Sequence, residues 1–92
     1  MAVALIMQFA GIDTGKYEAV MEKLGLRSAN PNWPKGILSH VAGRTSEGLC
    51  VVDVWESEEA CKQFGDVLMP MLEEIGVTEQ PEIYPAHAFV HA

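Results

Sequence analysis

Apolar residues in this chain follow two alternating periods. From Val3 to Phe9 the spacing is two: Val3, Leu5, Met7 and Phe9 share one face, and Ala4, Ile6 and Gln8 share the other, so a strand is expected. Gly11-Ile12-Asp13-Thr14 supplies a turn with an N-cap at Asp13 or Thr14. The spacing then becomes helical, because Tyr17, Val20, Met21 and Leu24 recur at i, i+3, i+4 and i+7. Gly25 is placed to stop that helix. Leu26 to Gly36 reads as a loop, since Asn30-Pro31-Asn32-Trp33-Pro34 forbids regular structure, and Trp33 is an apolar plug in it. Ile37 to Ala42 returns to a period of two, and Gly43-Arg44-Thr45-Ser46-Glu47-Gly48 closes a hairpin. Leu49 to Trp55 is apolar, rich in β-branched residues and free of Gly and Pro, so it reads as the central strand. Ser57 is an N-cap followed by Glu58 and Glu59, which suit a first helical turn. The second helix carries Ala60, Cys61, Phe64, Leu68, Met71, Leu72 and Ile75 as its stripe and ends at Gly76. Pro70 cannot donate to the carbonyl of Asp66, so a kink or restart near Met69 is expected. Glu82 to Val90 is a last strand, bent at Pro85, with His87 on the face of Ile83 and Phe89.

The order β-α-β-β-α-β predicts an α+β, ferredoxin-like fold: one antiparallel sheet with both helices on one face. Ninety-two residues suit one domain spanning 1–92. If Ala42 pairs with Leu49, His40 lies opposite Val51 and Leu38 opposite Asp53. That register puts Leu38, His40, Ala42, Leu49, Val51, Asp53 and Trp55 on one face, and Ile37, Ser39, Val41, Cys50, Val52 and Val54 on the other. The second set is small and apolar and is expected to pack under the helices. The first set would then be a bare face, rare on a monomer. Pairing it with a second copy gives a homodimer through the sheet face and encloses a barrel.

Charge narrows the function. The net charge is -7, and the six Lys and Arg residues are scattered. No basic stripe tracks phosphates, which argues against nucleic acid and against anionic membrane surfaces. No apolar run reaches the ~18 residues of a spanning helix, and Met1 to Met7 lacks a basic region, so no signal peptide is read. Cys50 and Cys61 form no CxxC pair. Both are expected as inert thiols on core faces, and the protein is expected to be cytoplasmic.

Asp53 is the residue that a plain core strand does not explain. An ionised carboxylate in an apolar strand costs several kcal/mol, in rough terms, unless it is paired. His40 on the neighbouring strand is the partner expected, and a histidine exchanges protons near neutral pH. Trp55 offers an aromatic wall. A metal site would need His40, Asp53 and His87 to converge, and no short-range spacing supports that, so no metal is expected. There is no nucleophile elbow and no Gly-rich phosphate loop. His91 is expected to be solvated.

The runs Gly36-x-x-x-His40-x-Ala42-Gly43 and Gly48-x-x-Val51-Val52-Asp53-Val54-Trp55-Glu56-Ser57-x-Glu59-Ala60 resemble small bacterial proteins of the dimeric α/β-barrel superfamily. Within it the chain is most similar to antibiotic-biosynthesis-monooxygenase-like domains. Leu68-x-Pro70-x-Leu72-x-x-x-Gly76 and Pro85-x-His87 resemble the same proteins, so the likeness covers nearly the whole chain. It implies that Trp55 corresponds to the tryptophan that ends the third strand and lines the cavity in oxygenase members. Those relatives usually place an Asn in the cavity from an early strand, where this chain offers Gln8. Haem-degrading relatives also use a His on the second helix, and from Glu58 to Ile75 there is none, so haem degradation is not expected.

The expected site therefore has His40 and Asp53 as catalytic residues. Trp55, Gln8, Leu38, Val51 and His87 line a cavity for a small, mostly apolar molecule, aromatic or polyketide-like. The candidate activity is a cofactor-independent monooxygenase. His40 removes a proton from an acidic phenol or polyketide-like substrate, and the resulting carbanion reacts with oxygen, so no cofactor is expected. The same residues also fit a non-catalytic small-molecule binder or a dimeric assembly protein.

Overall fold

A computed structural model describes residues 1–26 and 33–90 of the chain. The loop expected over 27–32 and the solvated His91 lie outside the described residues. The elements are β1 (Val3–Ala10), α1 (Thr14–Leu24), β2 (Ile37–Arg44), β3 (Gly48–Trp55), α2 (Glu58–Glu74) and β4 (Glu82–Pro85). Their sheet order is β2-β3-β1-β4, and every pairing is antiparallel. This is the expected ferredoxin-like arrangement.

Local chemistry sets the helix ends. Asp13 caps α1 by accepting from the Lys16 N–H at 2.8 Å, and Gly25 closes it in the left-handed region at φ 73. Ser57 accepts from the Ala60 N–H at 3.1 Å and starts α2. No restart occurs near Met69, because α2 runs as one helix through Pro70. Leu68, Met69 and Leu72 dock on the same core cluster on both sides of the proline, so packing outweighs the lost backbone bond.

The β2–β3 hairpin turns more tightly than expected. The Thr45 N–H donates to the Gly48 carbonyl at 2.8 Å, which leaves Ser46 and Glu47 at the tip and extends β2 to Arg44. A Cβ on Gly48 would lie 2.0 Å from the Phe9 carbonyl oxygen, so only glycine fits where β3 starts beside β1. The register is therefore two residues from the expected one: Ala42 faces Val51 rather than Leu49, and His40 faces Asp53 directly. A shift of two preserves which side chains share a face. A β-bulge between Ile37 and Ser39 breaks the alternation at the start of β2. Ile37 lies opposite Trp55 and packs beside it, while Leu38 turns outward and is 42% exposed.

Which face carries the helices is the reverse of the expectation. Val3, Met7, Phe9, Leu49, Val51, Asp53 and Trp55 are buried, packed with α2 residues Cys61 and Leu72 and with Val77 beyond it. The long side chains on this face span the gap to a helix layer, which the smaller ones on the other face do not. Cys50, Val52 and Val54 lie on the open face, where Val41 is 61% and Val52 37% exposed. Cys50 is thus not under α2: it is half-buried on the open side, whereas Cys61 is buried on the inner side of α2 against Val3 and Trp55. The last strand stops at Pro85 instead of Val90. After the Ala86 N–H donates to the Ala2 carbonyl at 2.9 Å, β1 offers no further ladder, and residues 87–90 are exposed.

Candidate functional site

Three elements bring one titratable group each to the end of the covered face. His40 from β2 and Asp53 from β3 are direct cross-strand partners. His40 Nδ1 lies 2.6 Å from Asp53 Oδ1, with side chains 16% and 8% exposed. Tyr17 from α1 completes the row, its hydroxyl 2.6 Å from His40 Nε2. An ionised Asp53 only accepts hydrogen bonds, so Nδ1 carries the proton and donates. In the neutral imidazole Nε2 is then an acceptor, and the Tyr17 hydroxyl donates to it. Trp33 leans on the same ring, with centroids 4.9 Å apart at 46°. The Tyr17 and His40 rings are nearly parallel, 10° apart in plane.

Burial raises the Tyr17 pKa above its ordinary value, and the charges of Glu18 and Asp53 push it the same way. The phenol thus keeps its proton at neutral pH and stays a donor. Burial also raises the Cys61 thiol, with Asp53 and Glu58 adding to the shift. A thiol so held is protonated and a poor nucleophile.

The row faces a cavity of about 610 Å³ between the sheet and the helices. Its walls are apolar: Met7, Phe9 and Val51 from the sheet, Leu72 and Phe64 from α2. Trp55 closes one side, 1% exposed, its ring 5.5 Å from that of Phe64. The Trp55 indole Nε1 is buried and has no hydrogen-bond partner among the described residues. Leaving such a donor unpaired costs about 1–3 kcal/mol.

Four of the residues expected at the site, His40, Asp53, Trp55 and Val51, line this cavity. Three do not. Gln8 points to the open face and is exposed, because β1 puts even-numbered residues opposite Phe9 and Met7. Leu38 is carried outward by the bulge, and His87 lies exposed beyond the end of β4. Tyr17 was expected only as part of the α1 stripe. Its signal was chemical: a tyrosine on a buried stripe needs a partner for its hydroxyl. Among the described residues no three His, Cys, Asp or Glu side chains converge as metal ligands. No described helix is long and apolar enough to cross a membrane.

No family model matches the sequence, and no curated protein matches it. Solved structures do. A Shewanella loihica PV-4 protein, provisionally described as a monooxygenase, superposes with TM-score 0.60 at 24% identity, covering 96% of both chains. A variant of SnoaB, a cofactor-independent oxygenase from Streptomyces nogalater, gives 0.63 at 12% identity, over 97% of this chain and 95% of that one. The chain shares the fold of these structures, an α+β ferredoxin-like sheet with two helices. A conserved protein from Methanosarcina mazei Go1 shares this fold at TM-score 0.59 and 16% identity, over 91% of each chain. At these identities the likeness is one of fold.

Proposed function

We propose that the chain is a cofactor-independent monooxygenase for a flat, acidic aromatic or polyketide-like molecule bound in the 610 Å³ cavity. One observation carries this reading: a largely apolar chamber has the paired, buried side chains of Asp53 and His40 at one end, while its other charged lining residues, Lys16, Lys62, Asp66 and Glu73, come from the helices. The ligand's acidic hydroxyl group faces that end, and its rings lie against Val51 and Trp55. The buried Trp55 N–H supplies a donor for an oxygen of the ligand. His40 takes the proton, and Asp53 holds the imidazolium that results. The anion, in its carbanion form, reacts with oxygen directly. The substrate supplies all four electrons: a ring carbon that carries two hydrogens in its keto form loses both and becomes C=O with one oxygen atom, and the other oxygen leaves with the two hydrogens as water.

The non-catalytic reading has its own support. Both ring nitrogens of His40 are already engaged, by Asp53 and Tyr17, as suits a site that only binds. Oxygen uptake with a panel of dihydroxynaphthalenes and anthrones separates the two. Uptake that His40→Gln abolishes is the expected result; binding without uptake contradicts catalysis. We extend the proposal to a homodimer through the open face, because Val41 and Val52 are exposed there, to one domain over 1–92, and to the cytoplasm, which two free cysteines suit.

A further inference from the structure

We propose that the Tyr17 hydroxyl is the group that touches the ligand's acidic oxygen, and that it passes the ligand's proton to His40. The inference rests on the reading of the cavity as a site for acidic hydroxyl compounds. In the free protein His40 has no nitrogen left for a ligand. Nδ1 is 2.6 Å from Asp53 and Nε2 is 2.6 Å from the Tyr17 hydroxyl. The imidazole is also covered by Trp33 at 4.9 Å. Tyr17 is itself a cavity-lining residue, and its oxygen has a second lone pair. A ligand hydroxyl can donate to that lone pair without breaking either bond of the row.

The transfer is balanced. The ligand O–H breaks as a new O–H forms on Tyr17. The original Tyr17 O–H breaks as Nε2–H forms on His40. The ligand is left as an anion that accepts a hydrogen bond from Tyr17, and the imidazolium sits between it and Asp53. Burial keeps Tyr17 a neutral phenol at rest, so it relays a proton rather than standing as a base. The row also sets specificity: a ligand needs one ionisable oxygen at its end, and an ether or a plain hydrocarbon has no proton to give.

The test uses 4-nitrophenol as the probe, because its anion is yellow and its neutral form is not. At one fixed pH, the ratio of anion to neutral phenol in the bound probe is measured for the wild type, Tyr17→Phe and His40→Gln. The relay predicts that both variants bind the probe and lower the ratio about ten- to a hundredfold, the value of a hydrogen bond to a charged group. Incorporating 3-fluorotyrosine at position 17 guards against a folding artefact. It keeps the ring and makes a stronger donor, so the ratio should rise above wild type, which a merely structural Tyr17 would not cause. If Tyr17→Phe keeps or exceeds the wild-type ratio while His40→Gln loses it, His40 meets the ligand directly. The relay is then wrong and the proposed function stands. If the wild-type protein yields no bound anion, both are overturned.

Discussion

The two faces of the sheet are both apolar, yet they do different work. The covered face carries long or bulky side chains, with Met7, Phe9, Leu49 and Trp55 all under 10% exposed. These reach the helices and leave a largely apolar chamber with the Asp53–His40 pair at one end. The open face carries mostly short side chains, Val41, Cys50, Val52 and Val54, together with Ile6 and Tyr84. Alternation alone divides residues into two sets but does not say which set meets the helices. Side-chain reach decides that, and it places Asp53 and His40 inside one chain rather than between two.

The largest effect that sharpens this contrast is on stability. Trp55→Ala should cost about 3–5 kcal/mol in urea unfolding, since it empties a core position. Val52→Ala, on the open face, should cost under about 0.5 kcal/mol for the isolated chain. Equal losses would mean that the open face is as structural as the covered one. Assembly gives the next effect. Val52→Glu should weaken self-association by about a hundredfold, because a buried unpaired charge is costly. Sedimentation should then shift from about twice the 10.1 kDa chain mass to the single chain. An unchanged mass would show that the open face is not the contact.

Within the covered face, Asp53→Ala leaves the His40 Nδ1–H without its acceptor. A loss of about 1–3 kcal/mol is expected, and a neutral result would show that the pair is not needed for the fold. The smallest effect lies at the sheet edge. The Ala10 N–H donates to Glu79 at 2.9 Å and holds its carboxyl below the usual range. A lowered folded pKa adds stability above the unfolded value of about 4.3, and that stability fades as pH falls through the folded value. Glu79→Gln should therefore flatten the acid limb of the stability curve and leave the site untouched. An unchanged acid limb would show that this bond does not couple to folding.

Much of this was legible in the sequence. Periods of two and of 3.6 place all six elements, and Ser57 and Gly25 mark helix ends. Asp53 announced itself as a carboxylate in an apolar strand. The register slipped because a six-residue link conceals a two-residue tip, and only the Thr45–Gly48 bond reveals it. Parity survived that slip, so His40 and Asp53 still share a face. Leu38 was lost to a β-bulge, which no local pattern signals. Gln8 is expected at the site only from the resemblance, and β1 pairs it with Cys50, on the face opposite Asp53; His87 falls outside because β4 ends at Pro85. Tyr17 stayed hidden because its ring fits an apolar stripe, and the partner for its hydroxyl lies 23 residues away.

The most direct measurement is an NMR titration of the protein with 4-nitrophenol, following side-chain methyls and the Trp55 indole N–H. If the helix-covered face is the site, shifts should concentrate at Met7, Val51 and Trp55, all of which line the cavity. Val41, Val52 and Val54 should stay still. Shifts confined to those three valines, with the indole N–H unmoved, would put the ligand on the open face and contradict the covered chamber as the functional site.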